Sequence, residues 1–198
     1  LAQGRKALLV SMDVSSRDSV KACFDHVGAC DSVINNAGIT VTRALLDQSE
    51  DDWDSVIDTN LKGCWLVATE AARHMRAAEK PGTIVNIASI LGERVAAGVA
   101  PYAISKAAVI QATKVMALEL ARYQIRVNAL LPGYVVTDLN RDFLQSEAGE
   151  KLRSRIPTRR FGHITDLDGP LLLLCSDAGI GMTGSCMTVD HGHLLSSL

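Results

Sequence analysis

The chain has 198 residues, of which 47% are hydrophobic and 21% charged, and its formal net charge is −2. This length allows one sizeable core, so we expect a single domain over residues 1–198. The absence of a basic block argues against a nucleic-acid partner, and the lack of any apolar run of about 18 residues argues against a membrane-spanning helix.

Thiols and imidazoles give no sign of a metal centre. The histidines lack ligand spacing, and we interpret the pair His191-x-His193 as part of an exposed tail. Residues 1–6 do not resemble a secretion signal. The cysteines are scattered without a C-x-x-C spacing, which is typical of reduced thiols in a cytoplasmic protein: Cys23, Cys30, Cys64, Cys175 and Cys186.

The first half of the chain alternates between apolar runs and helical patterns. We predict a strand over residues 7–12 that ends at Asp13 and Val14, then a helix capped by Ser15 or Ser16. A short strand over residues 32–35 leads into Asn36, Ala37 and Gly38. Helices are expected over residues 49–57 and 61–79, and Pro81 with Gly82 ends the second one.

The second half continues the alternation. Residues 83–88 are predicted as a buried strand, residues 101–123 as a helix and residues 126–131 as another strand. Residues 137–165 are interpreted as a mobile segment with a short helix around residues 147–155, before a helix over 167–176 and a last strand over 186–189. Strands alternating with helices predict an α/β fold, a Rossmann-like doubly wound parallel sheet with helices on both faces.

A phosphate-binding turn is missing from this pattern. Such a fold is expected to begin with a strand, a glycine-rich turn and a helix that hold a pyrophosphate, yet no G-x-G-x-x-G lies near the start of the chain. We therefore expect the first βαβ unit to be absent and the domain to be N-terminally incomplete.

Three polar residues converge where a strand ends and a helix begins. Ser89 follows the strand 83–88, Tyr102 comes thirteen residues later, and Lys106 lies four residues after Tyr102, on the same helix face. An ammonium group near a phenol favours the phenolate, and a serine hydroxyl can hold an oxygen whose charge changes. The trio predicts proton transfer to or from a carbonyl or an alcohol, although an isolated Tyr-x-x-x-Lys is most often a pair of surface residues.

Together, these and other motifs resemble the short-chain dehydrogenase/reductase family over essentially the whole chain. The resemblance is closest to the branch of 3-oxoacyl-carrier-protein reductases, gluconate 5-dehydrogenases and similar sugar or polyol dehydrogenases. The motifs that match are Asp13-Val14, Asn35-Asn36-Ala37-Gly38, Asn60, Ser89, Tyr102-x-x-x-Lys106 and Pro132-Gly133-Tyr134-Val135-Val136-Thr137.

The resemblance implies an NAD or NADP cofactor, and the sequence does not determine which. Asp13 and Val14 would contact the adenine, or Asp13 would simply cap the next helix. Small residues would pass under the ribose at Asn36, Ala37 and Gly38. The nicotinamide carboxamide would be held by Pro132, Gly133, Val135 and Thr137, or these residues would form a plain turn.

The resemblance also implies the catalytic roles. Tyr102 would be the general acid and base, Ser89 would bind the substrate oxygen, and Lys106 would hold the ribose and lower the Tyr102 pKa. Asn60 would kink its helix and hold a water in the proton path, or would be an ordinary cap before Leu61. The two helices over residues 61–79 and 101–123 would form a subunit contact, giving a homotetramer or homodimer.

Two departures and two rival functions remain at this stage. Residues 20–31 are about one turn shorter than the family suggests, and His191 stands where glycine is usual. The substrate is a small carbonyl or alcohol, expected to be a sugar acid, a polyol or a 3-oxoacyl thioester, with Glu93 and Arg94 facing it or forming an exposed ion pair. The rivals are a catalytically silent dinucleotide-binding or interaction protein, and an isomerase or dehydratase with tightly bound NAD.

Overall fold

The computed structural model describes Gly4, residues 6–138 and residues 140–196, so the expectation about a secretion signal falls mostly on residues outside them. Within the described residues, one parallel sheet has its strands in chain order. Val33 pairs with Ile84, and Ile84 pairs with Val127, so the first three strands share one register. The strands are β1 (Ser32–Asn35), β2 (Gly82–Ile87), β3 (Ile125–Pro132) and β4 (Cys186–Val189).

Helices connect the strands, as a parallel sheet requires. The helices over Arg17–Val27 and Cys64–Ala77 have amphipathic sequences and bury one side, whereas the helix over Ala100–Leu120 is apolar on more than one side. In the described part of the chain, no helix combines the length and hydropathy needed to cross a bilayer. The helices are α1 (Arg17–Val27), α2 (Glu50–Ile57), α3 (Cys64–Ala77), α4 (Ala100–Leu120), α5 (Arg141–Leu144), α6 (Glu147–Arg153) and α7 (Asp168–Cys175).

The sheet is packed on both faces. Successive side chains of a strand point to opposite faces. Ile84 accordingly lies in the core formed with α1, α3 and α4, whereas Val85 packs with Leu174 of α7. The predicted Rossmann-like α/β architecture is confirmed, and the carboxyl ends of the strands meet at one edge of the sheet, where ligands bind in such folds.

The predicted strand over residues 7–12 is wrong. These residues form no strand, and Leu8 and Leu9 are 66% and 95% exposed. A strand is defined by hydrogen bonds to a neighbour, and no described strand lies beside this segment. The apolar run has the composition of a strand, but composition alone does not provide a neighbouring strand with which to pair.

The predicted helices 49–57 and 61–79 form one continuous helical run. Ser49 caps α2 in a reciprocal capping box with Asp52, as its sequence suggested. Between α2 and α3 the backbone widens into a π-helical turn over Asp58–Gly63. Such wide turns are frequent at functional sites, and Asn60 lies in this one.

The remaining elements agree with the predictions to within a few residues. The segment 137–165 contains two short helices, α5 and α6, where one was expected around 147–155. The last predicted helix begins as a 3-10 turn at Ile164–Leu167 and continues as α7. Nothing in the fold tests the predicted mobility of this segment.

Candidate active site

A cleft of about 220 Å³ opens at the carboxyl ends of the strands. Its walls come from the ends of three strands and from the first turns of α4, so the sheet topology alone brings them together. A larger cavity of about 520 Å³ lies between α3 and α4, away from these groups. The cleft is lined by Asn36, Gly38, Ile87, Ala88, Ser89, Tyr102, Lys106, Pro132 and Gly133.

Ser89 is held at the end of β2 by a tight 3-10 turn over Ile90–Gly92. Its Oγ accepts a hydrogen bond from the Leu91 N–H at 3.1 Å, and the residue is 7% exposed. The turn lies directly on α4, because a Cβ at Gly92 would come within 2.8 Å of the Lys106 carbonyl oxygen. Glycine at position 92 therefore allows the Ser89 turn to approach the helix that carries Tyr102.

Lys106 lies one turn after Tyr102 on α4, as the i, i+4 spacing predicted. Its Nζ donates to the Ile87 carbonyl at 2.7 Å and lies 5.6 Å from the centre of the Tyr102 ring. The residue is 4% exposed, and this burial lowers the pKa of its ammonium to about 8. An ammonium has three donors, so the Ile87 carbonyl leaves others for a ligand in the cleft.

The Tyr102 pKa moves in the direction opposite to the sequence prediction. Burial raises the pKa of the phenol above its usual value, and a hydrogen bond with the Ser89 side chain offsets only part of this. Lys106 directs its Nζ to a backbone carbonyl and does not lower the Tyr102 pKa here. The Ser89–Tyr102 contact confirms the convergence of these two residues, but in this structure the phenol is the stable form.

Asn60 joins the helical wide turn to the loop after β1 and to α4. Its Nδ2 donates to the Ile39 carbonyl at 2.9 Å and to Ser105 Oγ at 3.1 Å, and its Oδ1 accepts from the Ile39 N–H at 2.8 Å. Asn60 therefore does not act as an ordinary helix cap, which was the alternative role for this residue. They fix the loop that contains Gly38 beside Lys106.

The segment after β3 forms the opposite wall of the cleft. A Cβ at Gly133 would come within 2.8 Å of Asp190, so only glycine fits between this wall and the end of β4. Val135 bridges to Gly162, and the Thr137 N–H donates to Asn140 Oδ1 at 2.8 Å. Asn140, which the sequence did not single out, thus binds the N–H of Thr137, a residue that was expected to hold the cofactor.

Only some of the residues expected to contact the adenosine line the cleft. Asn36 and Gly38 line the cleft, and Ala37 is exposed between them. Asp13 and Val14 do not line it: the Asp13 carboxylate accepts from Ser15 N–H and Oγ at 2.9 and 2.7 Å, and Val14 lies against Gly63. Ser16, not Asp13, caps α1.

His191 adopts a left-handed backbone, with φ of 57°, in the turn after β4. Its Nε2 lies 3.0 Å from Asp166 Oδ2, and this contact connects the turn to the segment that precedes α7. The neighbouring His193 is 2% exposed, so the expected exposed tail is wrong at that position. Within the described ranges, no group of three potential metal ligands occurs.

A buried polar network supports the cleft from below and was missed by sequence reasoning. Asn86 of β2 accepts from Asn35 Nδ2 at 2.9 Å and donates to Thr113 Oγ1 of α4 at 2.9 Å. The Cys64 thiol also donates to Asn86, and burial raises the pKa of this thiol to about 12. Polar residues inside apolar runs were the available signal, but their partners are distant in sequence.

Comparison with known proteins identifies relatives over nearly the whole chain. A family model described as enoyl-(acyl carrier protein) reductase matches residues 1–193. A 3-oxoacyl-[acyl-carrier-protein] reductase of Staphylococcus aureus is 38% identical over 195 residues, which are 96% of this chain and 78% of that protein.

Solved structures of relatives share the fold. A short-chain type dehydrogenase/reductase from Mycobacterium marinum is 37% identical, has a TM-score of 0.90, and is matched over 97% of this chain and 77% of its own. A gluconate 5-dehydrogenase from Burkholderia cenocepacia, in complex with NADP and tartrate, is 37% identical, with a TM-score of 0.89 and coverage of 93% and 74%. The chain therefore belongs to the short-chain dehydrogenase/reductase family of oxidoreductases.

Proposed function

We propose that the chain interconverts a carbonyl compound and a secondary alcohol with NAD or NADP as its redox partner. One observation carries this proposal: Ser89 and Tyr102 meet in a cleft that also contains the buried ammonium of Lys106. The hydroxyl of Ser89 is suited to a substrate oxygen, and the phenol of Tyr102 is suited to exchange a proton with it.

The residues present fit such a cofactor. Gly38 has no side chain above Lys106, and Gly133 forms a narrow wall opposite, so a flat ring system can approach the backbone on both sides. Lys106 would hold the ribose hydroxyls with the donors that Ile87 leaves free. Asn36, Ala37 and Gly38 would pass under the adenosine ribose, and Pro132, Gly133, Val135 and Thr137 would hold the nicotinamide carboxamide. Asp13 and Val14 would contact the adenine.

When bound, the nicotinamide supplies or accepts the hydride at the substrate carbon. The protein supplies the proton chemistry: in the reductive direction Tyr102 gives its phenolic proton to the carbonyl oxygen, and in the oxidative direction it takes the alcohol proton. Ser89 Oγ holds that oxygen in both directions. Lys106 binds the ribose beside Tyr102, and Asn60 orders the path by which the proton is replaced.

The resting pKa shifts are consistent with this cycle. Burial raises the pKa of the Tyr102 phenol, so Tyr102 keeps its proton before the reaction begins. The pKa of the Lys106 ammonium, about 8, lies close to neutral pH, so small changes in its surroundings alter its charge. Proton transfer by a positioned side chain accelerates such reactions by about 10²- to 10⁴-fold.

The test is the consumption of NADH or NADPH with a panel of ketones, oxo acids and acetoacetyl thioesters, measured for the full chain and for Tyr102→Phe. We expect the variant to lose roughly 10²- to 10⁴-fold in kcat, with cofactor affinity nearly unchanged in a fluorescence titration. Tyr123→Phe, at the opposite end of α4, is the matched control and should retain full activity.

Two results would contradict the proposal. Retained turnover in Tyr102→Phe would remove Tyr102 from the mechanism. Cofactor binding without net redox change on any substrate would favour the catalytically silent protein or the isomerase. The family model's description names an enoyl reductase, so reduction of a carbon–carbon double bond is the competing reaction that the panel must include.

Substrate class and assembly complete the proposal. The relatives' names include a 3-oxoacyl reductase and a gluconate dehydrogenase, and we propose a substrate of one of these two kinds. The cavity between α3 and α4 exposes Trp65 and Val115, which are 46% and 47% exposed. We propose that two copies of the chain pack against each other there, as part of a homodimer or homotetramer, in the cytoplasm.

A further inference from the structure

Arg94 is a half-buried cation whose surroundings differ from those of the other arginines. Among the arginines that the structure describes, only Arg94 and Arg126 are half-buried. Arg126 directs its terminal nitrogens to three carbonyls, those of Leu174, Ser176 and Met182. Arg94 uses one terminal nitrogen, Nη1, which donates to the His193 carbonyl at 2.5 Å.

No carboxylate neutralises Arg94 within the described ranges. The predicted ion pair with Glu93 is absent from the contacts shorter than 4.0 Å between those residues, and the Asp190 carboxylate is occupied by the N–H groups of Gly192 and Leu194. A guanidinium that is partly removed from water without a counter-ion is unfavourable on its own. An anionic ligand would compensate it.

Arg94 lies beside the reacting groups. It follows Ser89 by five residues on the same turn, where its N–H donates to the Ile90 carbonyl at 2.9 Å. The His193 ring packs on the Tyr134 ring at 5.7 Å between centroids. Tyr134 lies between Arg94 and Tyr102: burial raises the Tyr134 pKa, the charge of Arg94 opposes part of that rise, and Tyr134 in turn adds to the raised pKa of Tyr102.

A polar atom of His193, the residue that Arg94 contacts, lacks a partner among the described residues. His193 Nδ1 is buried and has no hydrogen bond to any described residue. Buried polar atoms are rarely left unpaired, and a bound ligand or water is the usual explanation. The Arg94 guanidinium, the Tyr134 ring and the His193 ring therefore form one group of polar side chains, which Tyr134 connects to Tyr102.

We propose that Arg94 binds a carboxylate of the substrate while Ser89 and Tyr102 hold its reacting oxygen. This inference rests on the proposed function and selects, from its two substrate kinds, a hydroxy or oxo acid over a 3-oxoacyl thioester. The planar fork of arginine matches a carboxylate through two parallel hydrogen bonds. Tyr134 supplies a further donor to the same carboxylate, and His193 positions Arg94 through its backbone carbonyl.

The first test compares KM and kcat for D-gluconate and for neutral sorbitol. Loss of a charged hydrogen bond corresponds to about a 10- to 100-fold change in affinity. We expect Arg94→Met to raise the KM for gluconate by about that factor, with kcat and the KM for sorbitol nearly unchanged. Arg94→Lys should recover part of the loss, and Arg122→Met, on an exposed arginine after α4, should match the wild type.

The second test measures binding without turnover, so that the two proposals fail separately. Saturation-transfer NMR with gluconate should give a signal in the wild type that is lost in Arg94→Met and weakened in Tyr134→Phe, which removes one hydroxyl only. If neutral alcohols are oxidised but gluconate binding ignores both substitutions, this inference is wrong and the proposed function stands. If nothing is oxidised yet gluconate binding depends on Arg94, the proposed function is wrong and the binding of a carboxylate by Arg94 stands.

The remaining outcome concerns the kind of anion. Inorganic phosphate that displaces gluconate in an Arg94-dependent manner, and binds more tightly than acetate, would overturn the carboxylate assignment. Thermal unfolding of each variant checks that the fold is intact. Should Arg94→Met fail to fold, Arg94→Lys and Tyr134→Phe still decide the question.

Discussion

Lys106 brings a positive charge into a part of the molecule that is almost closed to water. Its side chain is 4% exposed, and its Nζ bonds a backbone carbonyl, not a carboxylate. The cost of that burial is the physical reason for its lowered pKa, and it follows from the tight contact between α4 and the end of β2. Because α4 lies so close to the end of β2, the Lys106 side chain also lines the cleft, where a ligand can contact it.

This burial predicts a pH dependence of stability. The Lys106 pKa is about 8 in the folded chain, against 10.5 ordinarily, so between these values the unfolded chain holds a proton that the folded chain has lost. The free energy of unfolding of the wild type should therefore rise from pH 8 to 10.5 relative to Lys106→Met, by about 3 kcal/mol at most, and the difference should be constant below that window.

Urea unfolding of both proteins across this range measures the effect. Lys114→Met, which removes an exposed lysine from the same helix, is the control and should run parallel to the wild type. Parallel curves for Lys106→Met as well would mean that Lys106 is hydrated in solution.

The residue scale also shows why some functional groups were predicted and others were not. Ser89, Tyr102 and Lys106 lie within 18 positions of each other, and a strand followed by a helix brings them together whatever the rest of the chain does. His193 meets Arg94 across 99 positions. No local pattern announces such a contact, because it depends on where β4 ends relative to the Ser89 turn.

At the scale of elements, α4 is joined to the sheet by polar as well as apolar contacts. Thr113 is fully buried, accepts from Asn86 Nδ2 at 2.9 Å and donates to the Val109 carbonyl at 2.8 Å. Asn86 belongs to β2, the strand that ends at Ser89. The bond therefore helps to hold α4 in register with the strand whose end forms the site.

We expect Thr113→Val to reduce the free energy of unfolding by about 1–3 kcal/mol, because it keeps the shape but leaves the Asn86 donor unpaired. Chemical denaturation measures the change. Thr69→Val is the control: its hydroxyl bonds only carbonyls of its own helix, and its removal should have an effect within about 0.5 kcal/mol. Equal losses in the two variants would show that the Asn86 contact does not contribute.

Elements differ in how far their own sequence determines them. The helices α1 and α2 were predicted with caps at Ser15 or Ser16 and at Ser49, because the caps, Ser16 and Ser49, act within their own first turns. The wide turn at Asn60 was anticipated only as a kink, since its partners Ile39 and Ser105 lie elsewhere in the chain. Residues 7–12 had strand composition but no described neighbour.

At the scale of the whole molecule, α4 is apolar on more than one side. Its inner face packs on β3 and β2, and its outer face lines the cavity shared with α3 through Ala108, Ala112 and Val115. An apolar surface of this kind is stabilised by association. The face lies away from the cleft, so packing there leaves the candidate site open.

We expect the chain to form at least a dimer in light scattering, and Val115→Glu to shift it toward the monomer, because a charge buried at a contact is strongly unfavourable. Leu46→Glu introduces the same charge at a residue that is 96% exposed outside this cavity, and should leave the assembly unchanged. A monomeric wild type, or equal dissociation in both variants, would place the subunit contact elsewhere or exclude it.

The sequence by itself determined the α/β class, the positions of the four described strands along the chain, and the Ser89, Tyr102 and Lys106 group, because these depend on local periodicity and short spacing. The tertiary structure decided the direction of the Tyr102 pKa, the bonds of Asn60 and Asn140, and the half-buried Arg94 beside His193 and Tyr134. Burial and long-range hydrogen bonds arise only when distant segments pack, and no spacing along the chain encodes them.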